Sequence, residues 1–195
     1  SGSFKTKDNE LINSDLSCQF KNKNLTKDFL NKCQNSTFKI ESIDKKKSTR
    51  KPSAPFITST LQQEASTKLR MSPKSTMSSA QKLYEGGYIT YMRTDSFDLS
   101  QESLDMITNY INQNYGEQYL KIQAYKSKSK NSQEAHEAIR PCNFKVTSLR
   151  DDETMTNFEE RLYRLIWNRT VASQMAHCKV DLFTTKISIS EFPEE

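Results

Sequence analysis

The stretch Gly87-Tyr88-Ile89-Thr90-Tyr91-Met92-Arg93-Thr94-Asp95-Ser96 sets a tyrosine two residues from an arginine, followed by Thr, Asp and Ser. A hydroxyl, a fixed cation and several hydrogen-bonding groups can converge there on one small volume, a set that suits a phosphodiester. In a strand, side chains two apart project to the same face, so the planar fork of Arg93 can grip two phosphate oxygens and disperse charge that grows in a transition state. Tyr91 could then attack phosphorus. A free phenol has a pKa of about 10, so ionising one at pH 7 costs roughly 4 kcal/mol, which a nearby cation or a general base must partly offset. The same spacing also fits a strand tyrosine half-buried in a core beside a surface arginine.

A second stretch, Gln133-Glu134-Ala135-His136-Glu137-Ala138-Ile139-Arg140-Pro141, sets His136 four residues before Arg140. On one helical turn both point the same way and could hold a phosphate or shuttle a proton. Glu137 and Glu134 could instead pair with Arg140, leaving a solvated face with a surface histidine. No H-E-x-x-H occurs, so a zinc protease site is not supported. Gln81 and Glu85, at i and i+4, share a face of the helix that feeds into Tyr91. They could orient the nucleophile or a nucleotide, or simply face solvent. The basic run Lys45, Lys46, Lys47, Arg50, Lys51 reads as a solvated linker, with nonspecific phosphate attraction as the sharper option.

The elements that must position these residues come from a polar chain. Its 195 residues amount to one to one and a half domains at roughly 100–200 residues each. Hydrophobic residues make up 34%, with 4 glycines, against roughly 45–50% apolar content in average domains. With a mean hydropathy of −0.82, that composition implies a small core under a large polar surface. No run approaches the 18 or so apolar residues of a membrane span and no N-terminal stretch reads as an export signal, so cytoplasm or nucleoid is the expected compartment. The net charge of +5 suits contact with a polyanion. Cys18, Cys33, Cys142 and Cys178 form no C-x-x-C pair, which argues against structural zinc and for reduced thiols.

Residues 1–24 lack an apolar period and read as a fraying start whose first three residues, Ser-Gly-Ser, resemble a cloning scar. The pattern predicts a short helix over 25–32 with Asn24 as its cap, then a strand over 37–43. Pro52 and Pro55 mark a boundary. Helices are expected over 60–70, from about 75 to a stop at Gly86 and Gly87 with Met77, Ala80 and Tyr84 on one face, and from Ser100 to before Gly116. Residues 88–91 look like a short strand, 126–132 a polar loop and 135–140 a short helix stopped by Pro141. A long helix carries Met155, Phe158, Leu162, Leu165 and Ile166 on one stripe and Trp167 and Val171 on another, with Phe158, Tyr163 and Trp167 expected in the core. Period two returns over 181–190, a segment able to pair with 37–43. Strand at both ends with helices between suggests one domain inserted into another.

Four stretches together resemble type IA DNA topoisomerases, the bacterial DNA topoisomerase I branch most closely. They are Ala54-Pro55-Phe56-Ile57-Thr58-Ser59-Thr60-Leu61-Gln62-Gln63, Gln81-Lys82-Leu83-Tyr84-Glu85, and the two stretches around Tyr91 and His136, in the family's order and spacing. Topoisomerase III resembles the chain less, since that branch usually has proline where Met92 stands. The resemblance implies an α+β fold: a mainly helical tyrosine-bearing domain over 57–176, inserted into a β-rich hinge domain supplied by 1–56 and 177–195. It implies an ATP-independent isomerase that relaxes negative supercoils. Tyr91 would attack a DNA phosphodiester and become linked to the 5′ phosphate of one cut strand, leaving a free 3′ hydroxyl. Arg93 would assist the tyrosine and bind the scissile phosphate. His136 would support DNA binding and the pH dependence of cleavage, with Arg140, Gln81, Glu85, Thr90, Thr94 and Asp95 as supporting contacts.

The family's magnesium-binding carboxylates, a glutamate and a D-x-D, have no match, because Asp151-Asp152-Glu153 lacks their strand context. The expectation is therefore a central fragment that binds no metal itself, with Mg2+ held by an absent domain of the same protein and the C-terminal zinc ribbons absent too. Its expected partners are a single-stranded DNA segment and those missing domains. Alone it should bind single strands weakly and fail to relax DNA. Without the resemblance, a non-catalytic DNA-binding module, with 60–86 as a helix-turn-helix reader, is the competing reading.

Overall fold

The computed structural model describes residues 2–6, 8–17, 19–125 and 136–192. The expected loop over 126–132, together with Gln133, Glu134, Ala135 and Cys18, lies outside them. The chain divides into two compact units, one formed by residues 1–47 and 181–195, the other by 48–180.

The first unit mixes strands with one helix. Strands β1 (Gly2–Lys5) and β2 (Leu11–Ser14) pair antiparallel with Gly2 opposite Ser14 and Lys5 opposite Leu11. This hairpin stands where the sequence suggested a fraying start. Its turn is closed by Thr6, whose hydroxyl accepts from the Glu10 amide at 3.1 Å, while Asn9 takes the left-handed conformation its short polar side chain tolerates. Helix α1 (Lys23–Gln34) starts before the expected position because Asn22, not Asn24, caps it, accepting from the Leu25 amide at 3.0 Å.

Strand β3 (Phe38–Arg50) pairs with β4 (Cys178–Ile189), as the two period-two segments suggested. The Ser190 amide donates to the Thr37 carbonyl at 3.1 Å, and Lys45 and Asp181 form an ion pair at 2.7 Å. The basic run is therefore mostly strand rather than linker. Lysines are tolerated there because the strand is exposed on both sides: among the described residues of this unit none is buried.

The second unit holds the core. Helix α2 (Thr58–Glu64) continues into a π turn at Ala65–Leu69, and Arg70 ends it in the left-handed conformation at φ 60°. The single helix expected over 60–70 is thus two kinds of turn. Helix α3 (Pro73–Glu85) begins two residues earlier than expected: Ser72 caps it by accepting from the Ser75 amide at 3.1 Å, and Pro73 takes the first helical position, where no amide is needed. Helix α4 (Gln101–Asn114) starts at the expected cap, Ser100. Helix α5 (Asn157–Ser173) opens on a capping box in which Thr156 donates its amide to Glu159 at 3.0 Å.

Leu83 of α3, Ile107 and Ile111 of α4, and Leu162 and Ile166 of α5 are fully buried with Phe56 and Leu61. Each such side chain contributes about 1.5–3 kcal/mol relative to exposure. Tyr163 and Trp167 bury a second face of α5 and tie down the loop beside it, donating to the Val146 carbonyl at 2.6 Å and the Phe144 carbonyl at 3.3 Å. Desolvation pushes the Tyr163 phenol well above its ordinary pKa, so it stays a donor. Phe158, expected in this core, is 54% exposed, because it lies in the first turn, ahead of the packed stretch.

Two expectations around the candidate residues fail. Residues 88–91 form no strand, only an isolated bridge between Ile89 and Pro141. Residues 136–140 form no helix, and Ile139 bridges Phe56 instead. Pro141 explains the second: the residue before a proline is pushed to extended backbone, and here the amides of Ile139 and Arg140 find partners across the chain.

Candidate active site

Extended pieces from three parts of the sequence meet at the tyrosine segment. The Ile139 amide donates to the Phe56 carbonyl at 2.8 Å, Thr90 N–H to the Arg140 carbonyl at 2.9 Å, and Cys142 N–H to the Tyr88 carbonyl at 2.9 Å. Thr90 adds its side chain, donating from Oγ1 to the Ala138 carbonyl at 2.7 Å and accepting from the Arg140 amide at 3.0 Å. On the other side Thr58, the first residue of α2, donates from Oγ1 to the Met92 carbonyl at 2.8 Å and accepts from the Thr94 amide at 3.0 Å. Thr94 in turn accepts from the Ser96 amide at 3.1 Å. Thr90 and Thr94 are thus builders of the backbone.

Around these two threonine clamps buried and exposed side chains succeed one another. Ile89 and Met92 are buried in the core, while Tyr91 and Arg93 are exposed. Tyr91 is 42% exposed, and its hydroxyl makes no hydrogen bond among the described residues. The guanidinium of Arg93 likewise has no ion-pair partner among them. A nucleophile-type oxygen and a permanent cation therefore stand uncommitted, two residues apart, on a backbone anchored from both sides.

The turn before them is fastened separately. Helix α3 ends at Gly86, and Gly87 adopts φ 72°, a conformation that favours glycine. The Tyr88 hydroxyl then donates to the Asp152 carboxylate. Hydrogen bonds from Thr154 and from Tyr88 hold that carboxyl below its ordinary pKa, and the same bond raises the Tyr88 phenol.

Gln81 donates from Nε2 to Glu85 Oε1 at 2.7 Å on the last turns of α3, so the two do share a face. Between them Tyr84 is 42% exposed, with its ring edge-on to Tyr91 at 5.2 Å between centroids and 63° between planes. Its expected place alongside the buried Ala80 is corrected: the last turn of α3 runs past the core and out to the tyrosine segment.

Arg140 is not a spare phosphate ligand. It is buried, donates from Nε and Nη2 to Glu137 Oε2 at 3.0 and 2.6 Å, and caps the Pro141 carbonyl at 3.0 Å. Glu137 also accepts from the Ser100 amide at 2.7 Å, which fixes the start of α4. Burial alone would raise the Glu137 carboxyl, but the Ser100 hydrogen bond and the Arg140 charge prevail and hold it below its ordinary value. His136 and Asp95 are exposed. With 136–140 extended, His136 and Arg140 do not share the helical turn their spacing suggested.

Thr58, Tyr84 and Asp152 were not singled out from sequence for these roles. Thr58 stands in the family-like stretch around Phe56, but its partners at Met92 and Thr94 are more than thirty residues away, a pairing no local pattern encodes.

Among the described residues no three His, Cys, Asp or Glu side chains gather to hold a metal ion. In the acidic run at Asp151, the Asp152 carboxylate accepts from the Tyr88 and Thr154 hydroxyls. No helix among them is long and apolar enough to cross a membrane.

Comparison with known proteins identifies the family. A family model described as DNA topoisomerase matches residues 2–194. The chain is 50% identical over 167 residues to "DNA topoisomerase 1 type prokaryotic" of Acanthamoeba polyphaga mimivirus, covering 86% of this chain and 19% of that protein. It is 46% identical over 174 residues to DNA topoisomerase 1 of Escherichia coli K12, covering 88% and 20%. The chain thus spans about a fifth of the length of these curated relatives. The full-length topoisomerase I structure from Thermotoga maritima matches with a TM-score of 0.64 at 30% identity, over 90% of this chain and 31% of that one. With the α+β architecture and the family motifs already in hand, these matches establish that the chain belongs to the type IA DNA topoisomerase family.

Proposed function

We propose that this chain is the tyrosine-bearing section of an ATP-independent DNA topoisomerase, and that Tyr91 cleaves one DNA strand. The phenol oxygen of Tyr91 attacks a backbone phosphorus as the bond to the 3′ oxygen breaks. The product is a 5′-phosphotyrosyl link and a free 3′ hydroxyl; the phenol loses its proton and the departing oxygen takes one up. Reversal by that hydroxyl reseals the strand after another has passed through the gap, relaxing negative supercoils without an outside energy source. Arg93 binds the scissile phosphate and offsets the charge that accumulates on its oxygens. His136, Gln81, Glu85 and Asp95 contact the DNA around the cut. Thr90, Thr94 and Arg140 hold the loop that presents Tyr91.

The observation that carries this reading is the uncommitted pair of exposed side chains, Tyr91 and Arg93, flanking buried Met92 on a doubly clamped segment. Magnesium chemistry, if the complete protein uses it, is supplied by carboxylates outside the described residues. On the same reading the chain alone binds single strands weakly, more weakly as salt rises, does not relax supercoiled DNA, and works at the nucleoid.

The test is to mix the chain with the metal-binding section of a relative, end-labelled single-stranded DNA and Mg2+, then denature and look for labelled protein. Adduct is expected with the wild-type chain and absent with Tyr91→Phe; adduct persisting in that variant overturns the assignment. Arg93→Ala should lower cleavage at saturating DNA by about 100-fold while binding falls by no more than about fivefold, in line with the loss of one charge-stabilising donor. Equal losses would reduce Arg93 to an anchor.

A further inference from the structure

We propose that Tyr84 is a stacking platform for an unpaired base next to the scissile phosphate, an inference that rests on the reading of Tyr91 as nucleophile. Tyr84 lies on the last turn of α3 with its ring edge-on to Tyr91 at 5.2 Å, yet 42% of it is exposed. Its hydroxyl makes no hydrogen bond among the described residues. A large aromatic left 42% exposed on a polar helix turn, whose T-shaped contact with one neighbouring ring takes up at most one of its two faces, still offers surface to a flat, apolar ligand. The ends of the side-chain pair Gln81 and Glu85 sit one turn back and one residue on, joined at 2.7 Å. An aromatic face flanked by an amide and a carboxylate is the chemistry of a nucleobase subsite: the ring stacks on the π-face and the polar pair borders the base edge.

The occupant is a single-stranded base rather than a base pair, because stacking needs a face that a duplex hides. Proximity to Tyr91 restricts it further to a nucleotide adjoining the phosphate that Tyr91 attacks.

The experiment uses the chain itself and single-stranded oligonucleotides carrying 2-aminopurine, whose fluorescence falls when it stacks, at each position in turn. At one or two adjacent positions, quenching is expected for wild type, for Tyr84→Phe and for Tyr91→Phe, and lost in Tyr84→Ala. Affinity by anisotropy should fall between about 5-fold and 150-fold in Tyr84→Ala, and by less than about twofold in Tyr84→Phe, which keeps the ring. An abasic site at the quenched position should erase the difference between Tyr84→Ala and wild type. Tyr84 is exposed, so Tyr84→Ala should unfold at the wild-type temperature. Affinity in Tyr84→Ala within twofold of wild type, or quenching that survives it, overturns the inference. Because Tyr91→Phe is expected to bind and quench normally, loss of the nucleophile assignment in the adduct assay and loss of the stacking assignment here are separate results.

Discussion

Arg93 and Arg140 carry the same guanidinium to opposite ends. Arg93 is exposed and has no ion-pair partner among the described residues, whereas Arg140 is buried and spends its donors on Glu137 and the Pro141 carbonyl. Removing Glu137 would strand a buried cation and leave the Ser100 amide, just ahead of α4, without its acceptor. Breaking a buried pair costs about 3–5 kcal/mol, and Glu137, only partly shielded, belongs at the lower end. Glu137→Ala should therefore lose about 3 kcal/mol in urea unfolding, and its adduct yield should fall because Thr90 loses the Arg140 backbone it clamps. The pH dependence has a definite sign. The Glu137 carboxyl is held below its ordinary value of 4.5, so its ionised form stabilises the fold; that contribution is complete above pH 4.5 and is lost as pH falls through the folded value. The stability gap between wild type and Glu137→Gln should be constant between pH 6 and 7 and should close on acidification below about 4.5. A gap that widened in acid would contradict the assignment.

At the scale of elements, the segment carrying Tyr91 depends on a turn whose geometry glycine supplies. Gly87 sits at φ 72°, and a Cβ added there would meet nothing within 4 Å. Gly87→Ala is therefore a pure backbone test, costing about 1–2 kcal/mol for the left-handed conformation and lowering the melting temperature by roughly 2–8 °C; an unchanged melting temperature would mean the turn relaxes. That turn was legible: two glycines after an amphipathic run announce a helix end. The start of α4 was legible too, since the cap Ser100 and the Ser103 amide it takes up lie three residues apart. The segment beyond the turn was not legible. Tyr88 to Tyr91 has strand residues, but its partners are Ala138, Arg140 and Cys142, some fifty residues on, and they give only one bridge at Ile89. The spacing of His136 and Arg140 fitted a helix, and only Pro141 argued against it. The β1–β2 hairpin escaped because neither strand buries a face, so no alternation was written into the residues.

For the whole molecule, the two units are held by different means, and that difference can be measured. Every buried side chain among the described residues belongs to 48–180, where α2 to α5 close around Leu61, Leu83, Ile107 and Ile166. The unit made of 1–47 and 181–195 relies on backbone pairing, exposed ion pairs such as Lys45 with Asp181, and small aromatic contacts such as Phe29 with Phe20 and Phe192. A pair of strands without a buried face is marginal in water, and an exposed ion pair adds about 0.2–1 kcal/mol. Cooperative unfolding should therefore report the 48–180 unit alone. A chain trimmed to 48–180 should keep its melting temperature within about 4 °C of the longer one, a change of about 1 kcal/mol at this size. In the longer chain, amide hydrogens of β3 and β4 should exchange at rates set by local opening, while those of α5 exchange only through global unfolding. Equal protection in β4 and α5, or loss of folding on trimming, would mean the strands share the core's cooperativity. If the strands open independently, the hydrogen bonds that clamp the segment of Tyr91 and Arg93, all made within 48–180, persist while the strand unit yields.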